Sequence, residues 1–147
     1  MVRSILLVQL AATLLMTGLI WFVQLVHYPL FARVGAQQFA TYEAEHQRRT
    51  TWVVAPLMLA ELATALLTVA PRLRPPAASA TGSWAGLALV IAIWLSTALI
   101  QVPLHTQLAS GYSAAAAARL VSGNWLRTLA WTARSALVLL WVARSLR

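Results

Sequence analysis

The chain has 147 residues, 61% hydrophobic and only 10% charged, with eleven basic residues (all arginine), three glutamates, no aspartate, no cysteine and a formal net charge of +8. A charged fraction so far below the ~25% of soluble domains excludes an ordinary water-soluble fold, and the lack of cysteine excludes disulfides and thiolate metal sites. The charge does not indicate nucleic acid, because the arginines are scattered between apolar runs instead of forming a patch; they read as flanks facing anionic lipid head groups.

No formally charged side chain lies between Arg3 and Arg33, a run longer than the ~20 residues that carry a helix across a bilayer. Residues 4–27 are therefore expected to form a first span. The apolar run is too long for a signal peptide and has no clear small-x-small cleavage site, so it is read as retained. Tyr28-Pro29 is expected to close it, because a residue before proline disfavours the helical region. Residues 30–50 read as a polar connection with a short helix from about Ala36, and 51–70 as a second span interrupted by Pro56. Residues 71–83, with Pro71, Pro75, Pro76 and Gly82, read as a loop. The third span is expected over 84–105, with Pro103 near its end. Residues 106–123 form a second connection, whose alanine run 114–118 favours a short helix stopped at Ser122-Gly123. The fourth span is expected over 124–143. The fold class is thus an all-α, integral-membrane, antiparallel four-helix bundle, a single domain over 1–147, with short helices in its connections.

Four spans put both termini on one side. That side carries Arg3, Arg72, Arg74, Arg144 and Arg147; the other carries Arg33, Arg48, Arg49 and Arg119. The balance favours cytoplasmic termini, with a bacterial inner membrane as the expected location. Trp21, Trp52, Trp84, Trp125 and Trp141 lie near proposed span ends, where interfacial tryptophan collects.

Each apolar segment carries a few strong polar groups at helical spacing, and such groups are expected to face one another inside a bundle. At ~100° per residue, Gln9, Thr13, Thr17, Gln24 and His27 share one face of the first helix, and Thr97, Gln101 and His105 share one face of the third. Asn124, Arg127, Trp131 and Arg134 do so on the fourth. If the second helix runs on from Ala36, then Glu43, His46, Thr50, Glu61, Thr64 and Thr68 also align. Antiparallel threading collects His27, His46, His105, Asn124 and Arg127 at one rim, with Gln24 and Gln101 about one turn deeper. Glu61 and Arg134 each lie roughly 15 Å in from that rim, at matching depth, so they are predicted to pair.

Several chemistries follow. The spacing Glu43-x-x-His46 puts both side chains on one helical face, as in carboxylate-bridged metal bundles. With His27 and His105 these residues offer N/O ligands suited to iron, copper or zinc, or to haem. Phe39 and Tyr42 are expected to anchor this segment over the rim. The plainer alternative is interfacial histidines bonded to head groups or loop carbonyls. His27, His105 and Glu61 are candidate proton acceptors, and Asn124 and Arg127 are candidate stabilisers of charge developing on oxygen. Gln24, Gln101, Tyr42, Trp131 and Arg134 are candidates for substrate binding. For the two glutamines, interhelical hydrogen bonding is the competing role. For Glu61–Arg134 it is a pair that only fixes helix register.

Two strings add to this. Gln101-Val102-Pro103-Leu104-His105-Thr106-Gln107-Leu108 and Asn124-Trp125-Leu126-Arg127-Thr128 resemble the last two helices of the anthrone-oxygenase-like family of small four-span membrane proteins. The resemblance covers roughly the second half of the chain, with His105 standing where that pattern usually has Asn. It implies oxygenation of a reduced polycyclic aromatic such as an anthrone. The expected function is accordingly that of a small membrane oxidoreductase or oxygenase acting on a lipophilic molecule in a rim pocket, with membrane lipids as its surroundings and no nucleic-acid partner. The alternative is a non-catalytic transporter subunit or accessory protein whose polar residues hold the bundle together.

Overall fold

The computed structural model describes residues 1–147. Helix α1 spans Val2–Phe22, α2 Ala36–Val69, α3 Ala80–Ser96, α4 Val102–Ala109 and α5 Ala114–Ser145. With their helical extensions these make four rods, each long and apolar enough to cross a membrane. The rods form a square: α1 packs on α2 and α5, and α3 packs on the same two from the other side.

The sidedness of each helix follows from its sequence. In α1 the buried set is Leu6, Gln9, Ala12, Thr13, Met16 and Ile20, an i, i+3, i+4 stripe. Leu7, Val8, Leu14 and Leu15 on the other face are exposed. Lipid tails are as apolar as leucine, so association draws on packing, close approach and interhelical hydrogen bonds. Gly86 and Gly123 supply the close approach. A Cβ at Gly86 would stand 3.2 Å from Arg134 Nη1, and one at Gly123 would stand 3.0 Å from Ile100 Cγ2 and 3.3 Å from Gln101 Nε2. Thr17 is one of the interhelical ties, its hydroxyl lying 2.6 Å from Ser135 Oγ. The main core runs from Met16 and Ile20 through Phe31, Phe39, Met58, Ile93, Leu120 and Trp131. A smaller one at the other end joins Leu6, Ala78, Val138 and Trp141.

The bundle expected from the sequence is present, but its connections are shorter. Tyr28-Pro29 does not end helicity. The chain continues through a π-helical segment, Val23–His27, and a 3-10 turn, Pro29–Arg33. The expected connection at 30–50 is mostly the first turns of α2, one continuous helix that Pro56 does not break. Ser122-Gly123 does not stop a helix either; α5 runs through it from Ala114, capped by Ser113, whose Oγ accepts from Ala116 N. Glycine there serves close packing instead of termination. Helix α3 starts at Ala80, ahead of the expected residue 84, because Ser79 caps it. Trp141 is a core residue and not an interfacial one, at 2% exposure, whereas Trp52 and Trp84 face outward.

The two π-helical segments, Val23–His27 and Thr97–Gln101, each end two residues before a proline, Pro29 and Pro103. Proline lacks an N–H and crowds the carbonyl four residues earlier. A widened turn relieves that crowding, as in the bond from Tyr28 N to Val23 O, 3.0 Å. Each widened turn also sets every later side chain back by roughly 100° relative to an unbroken helix.

Candidate functional site

Three polar layers are stacked inside the bundle. The deepest is centred on Glu61, which is 2% exposed. Its Oε1 accepts from Thr13 Oγ1 at 2.7 Å and from Arg134 Nε at 3.1 Å, and its Oε2 accepts from Trp131 Nε1 at 2.6 Å. Arg134, fully buried, also donates through Nη1 to Gly86 O at 2.7 Å; its Nη2 alone has no partner. The pair predicted from equal depth therefore forms. Both oxygens of Glu61 are used within the protein, and neither residue lines the cavity at the rim.

The middle layer joins α1 to α5. Asn124 Nδ2 donates to Gln24 Oε1 at 2.9 Å, while Gln24 Nε2 donates to Val121 O at 3.1 Å. Arg127 Nε donates to Asn124 Oδ1 at 3.0 Å and its Nη1 to Thr97 Oγ1 at 3.2 Å. Its guanidinium lies 5.7 Å from the Trp131 ring centroid, within cation–π range. Arg127 is only 8% exposed, yet all these partners are neutral and no carboxylate lies within salt-bridge distance.

The third layer is the rim. His105 stands between Glu43 and Tyr28: Nδ1 is 2.5 Å from Glu43 Oε1, and Nε2 is 2.9 Å from Tyr28 Oη. With Glu43 ionised, Nδ1 donates, which leaves Nε2 to accept from the phenol. Gln47 Nε2 donates to Glu43 Oε1 at 3.2 Å and to His105 O at 3.1 Å. His27 Nε2 lies 2.9 Å from His46 Nδ1, which Thr50 Oγ1 also approaches at 3.2 Å. Glu43 is fully buried, and its Oε2 has no partner. Phe31 packs edge-on against His27 and Phe39, and Phe39 against Tyr112, which seals this corner.

A cavity of about 270 Å³ opens against the rim. Met16, Ile20, Met58, Trp94 and Trp131 give it apolar walls, while Tyr28, His46, Gln47, Gln101, His105 and Arg127 bring polar groups to it. Both amide atoms of Gln101 are buried without a partner. A second hollow of about 240 Å³ shares Leu19, Val23, His46 and Thr50 with the first, on the seam between α1 and α2.

Comparison of the chain with known protein families, curated proteins and solved structures finds no match. The site's meaning therefore rests on its chemistry.

Of the residues singled out in the sequence, His105, Gln101, Arg127, Trp131 and His46 line the cavity. Glu43 stands directly behind His105. His27 touches the second hollow and buttresses His46. Gln24 and Asn124 are consumed by the layer below, so the two glutamines divide: Gln24 ties helices together and Gln101 is left free. Glu61 and Arg134 belong to the closed deep layer. Tyr42, 36% exposed, stacks on the outside of His46 at 6.4 Å between centroids and does not reach the cavity. Of the expected anchors, only Phe39 is buried. Of the four expected metal ligands, Glu43, His46 and His105 bring ligand atoms within 4.8 Å of one another, without His27. Sequence reasoning missed Gln47 and Tyr28. Gln47 carried a signal, four residues after Glu43 on one helical face. Tyr28 carried one too, four residues after Gln24 and beside the polar stripe of the first helix.

Proposed function

We propose that this protein is a small membrane oxidoreductase of the oxygenase type, acting on a lipophilic molecule that carries an acidic C–H next to a carbonyl or a phenolic ring. The observation that carries this reading is Arg127, a buried guanidinium on a cavity wall with no carboxylate to neutralise it. A buried charge needs compensation, and an oxygen that turns anionic during reaction would supply it. The unpartnered amide of Gln101 on the same wall is a second group for that oxygen.

Proton removal falls to Tyr28, His105 and Glu43. The phenol oxygen takes the proton from carbon while its own proton passes to His105 Nε2, and Glu43 holds the resulting imidazolium at Nδ1. The negative charge left on the substrate is delocalised onto the oxygen facing Arg127. The resemblance noted in the sequence points to an anthrone. Its ring CH2 reacts with one dioxygen to give a second carbonyl and one water, so two hydrogens leave carbon and one oxygen atom is gained. The apolar walls fit such a ring system, and the hollow between α1 and α2 would let it arrive sideways from the bilayer. A purely structural polar core, as in an accessory subunit, accounts for the Glu61 layer but leaves the cavity and Arg127 without a use.

Our reading of orientation is a bacterial inner membrane with cytoplasmic termini, supported by the arginine balance. The rim then faces away from the cytoplasm.

The test uses purified protein in lipid nanodiscs, supplied with anthrone under air. Dioxygen uptake should match anthraquinone formation one to one, above the uncatalysed oxidation. Arg127→Leu should lower the rate by roughly 10²- to 10³-fold. A wild-type rate equal to that of empty nanodiscs would remove the anthrone. An Arg127→Leu rate equal to wild type would remove the mechanism.

A further inference from the structure

We infer that Glu43, His46 and His105 form a binding site for one divalent first-row transition ion, with iron(II) the best fit, at the wall of the cavity. The inference rests on reading this rim as the working end of that cavity, but it stands on ligand geometry.

Two imidazoles and one carboxylate are the ligand set of open non-haem iron sites, in which three protein ligands leave positions free for other molecules. Here the three ligand atoms lie within 4.8 Å of one another. Ligands at 2.0–2.2 Å from a common ion stand at most about 4.2 Å apart, so side-chain closure on the order of 1 Å completes the shell. Glu43 and His46 share a face of α2 at i, i+3, and His105 comes across from α4. Two of the ligands, His46 and His105, line the cavity, so the free positions open toward it.

Two details point to a ligand rather than to a finished hydrogen-bond network. Glu43 is fully buried, and its Oε2 has no partner of any kind; an isolated buried carboxylate oxygen is costly unless something positive meets it. The second detail is His46. Its Nδ1 is engaged by His27 and Thr50, which fixes the ring and leaves Nε2 uncommitted. Metal-bound histidines commonly have the other ring nitrogen held in this way. His27 is thus a positioning residue and not a ligand.

Binding replaces a proton. The ion takes the place of the hydrogen between His105 Nδ1 and Glu43 Oε1; that proton leaves to solvent, and the phenol proton of Tyr28 passes to His105 Nε2, which then donates to Tyr28 Oη. Tyr28 stays the group that meets the substrate proton in either state, and in the loaded state its phenolate is met by an N–H polarised by the ion.

Chelator-stripped protein in detergent, kept anaerobic, is titrated with cobalt(II) and, by competition, with iron(II). Wild type should bind one ion per chain, with visible bands of low-symmetry cobalt, and should release about one proton per ion near neutral pH. Glu43→Gln and His105→Ala should each lose at least 100-fold in affinity, and His27→Ala should lose roughly 10- to 100-fold, with helical content and melting temperature checked for each. Folded wild type that takes up no stoichiometric ion overturns the inference, as does a folded Glu43→Gln that binds like wild type. The wild-type stoichiometry and proton count decide the matter even if the variants do not fold. Absent metal binding alongside Arg127-dependent oxidation removes the ion and leaves the cavity reading. A bound ion without such oxidation upholds the site and removes the other.

Discussion

Two glutamates on one helix, both buried, are held in opposite ways. Glu61 has both oxygens engaged, by Thr13, Arg134 and Trp131, and does not line the cavity at the rim. Glu43 shares Oε1 with His105 and Gln47, and its Oε2 meets nothing. The two buried arginines repeat the contrast. Arg134 is neutralised by Glu61, whereas Arg127 is held by Asn124, Thr97, the Trp131 ring and the nearby Tyr28 phenol, all neutral groups. In the deep layer the carboxylate and the guanidinium neutralise each other, with Arg134 Nη2 and, a turn along α1 from Thr13, the amide of Gln9 left without partners, and charge balance of this kind is what a structural tie requires. At the rim, valences are left over, and they surround an apolar hollow. Residue type does not separate structure from function in this bundle; the completeness of each residue's partners does.

The sharpest way to break the comparison is to remove one arginine at a time. Arg134→Met leaves Glu61 buried without its cation and should cost about 3–5 kcal/mol, read as a fall in the unfolding midpoint in detergent followed by helical circular dichroism. Arg127→Met strands no carboxylate, only the acceptor Asn124 Oδ1, and should cost about 1–2 kcal/mol. Equal losses would mean that the two layers serve the same purpose. A middle-sized effect belongs to Trp131, which faces both regions. Trp131→Phe keeps most of the aromatic volume but removes the bond to Glu61 Oε2, and should cost about 1.5–3 kcal/mol. An unchanged midpoint would show that this bond adds nothing to the deep layer. The smallest effect has the opposite sign. Gln101→Leu takes away an amide that is buried without partners, so the protein should gain about 1 kcal/mol while the oxidation proposed for it slows. A loss of stability there would assign Gln101 to the structural ties with Gln24.

The segments that became spans were legible because apolar runs of that length have one stable solution in lipid, and the helical phase of Glu61 and Arg134 was enough to foresee their pairing. The same phase arithmetic brought His46 and His105 together with Glu43. Tyr42, put forward for its place beside Glu43 and His46 and not for its phase, lies on a face of α2 that turns outward, and phase could not separate Gln24 from Gln101, whose phases are equivalent but whose neighbours differ. It also read Ser122-Gly123 as a helix stop, since a glycine that ends a helix and one that admits a neighbouring helix look alike in one dimension.

Composition and periodicity thus determined the class of the molecule, its number of spans and the grouping of its polar residues at one rim, because those follow from local hydropathy and a fixed helical repeat. Only the tertiary structure decided which polar groups are satisfied and which are spare. That property depends on atoms contributed by distant helices: Glu43 of α2 reaches the Tyr28 phenol only through the His105 imidazole, with Tyr28 and His105 each lying beyond a widened turn, Val23–His27 and Thr97–Gln101. A repeat of 3.6 residues carries no trace of an inserted residue until the chain is folded around it.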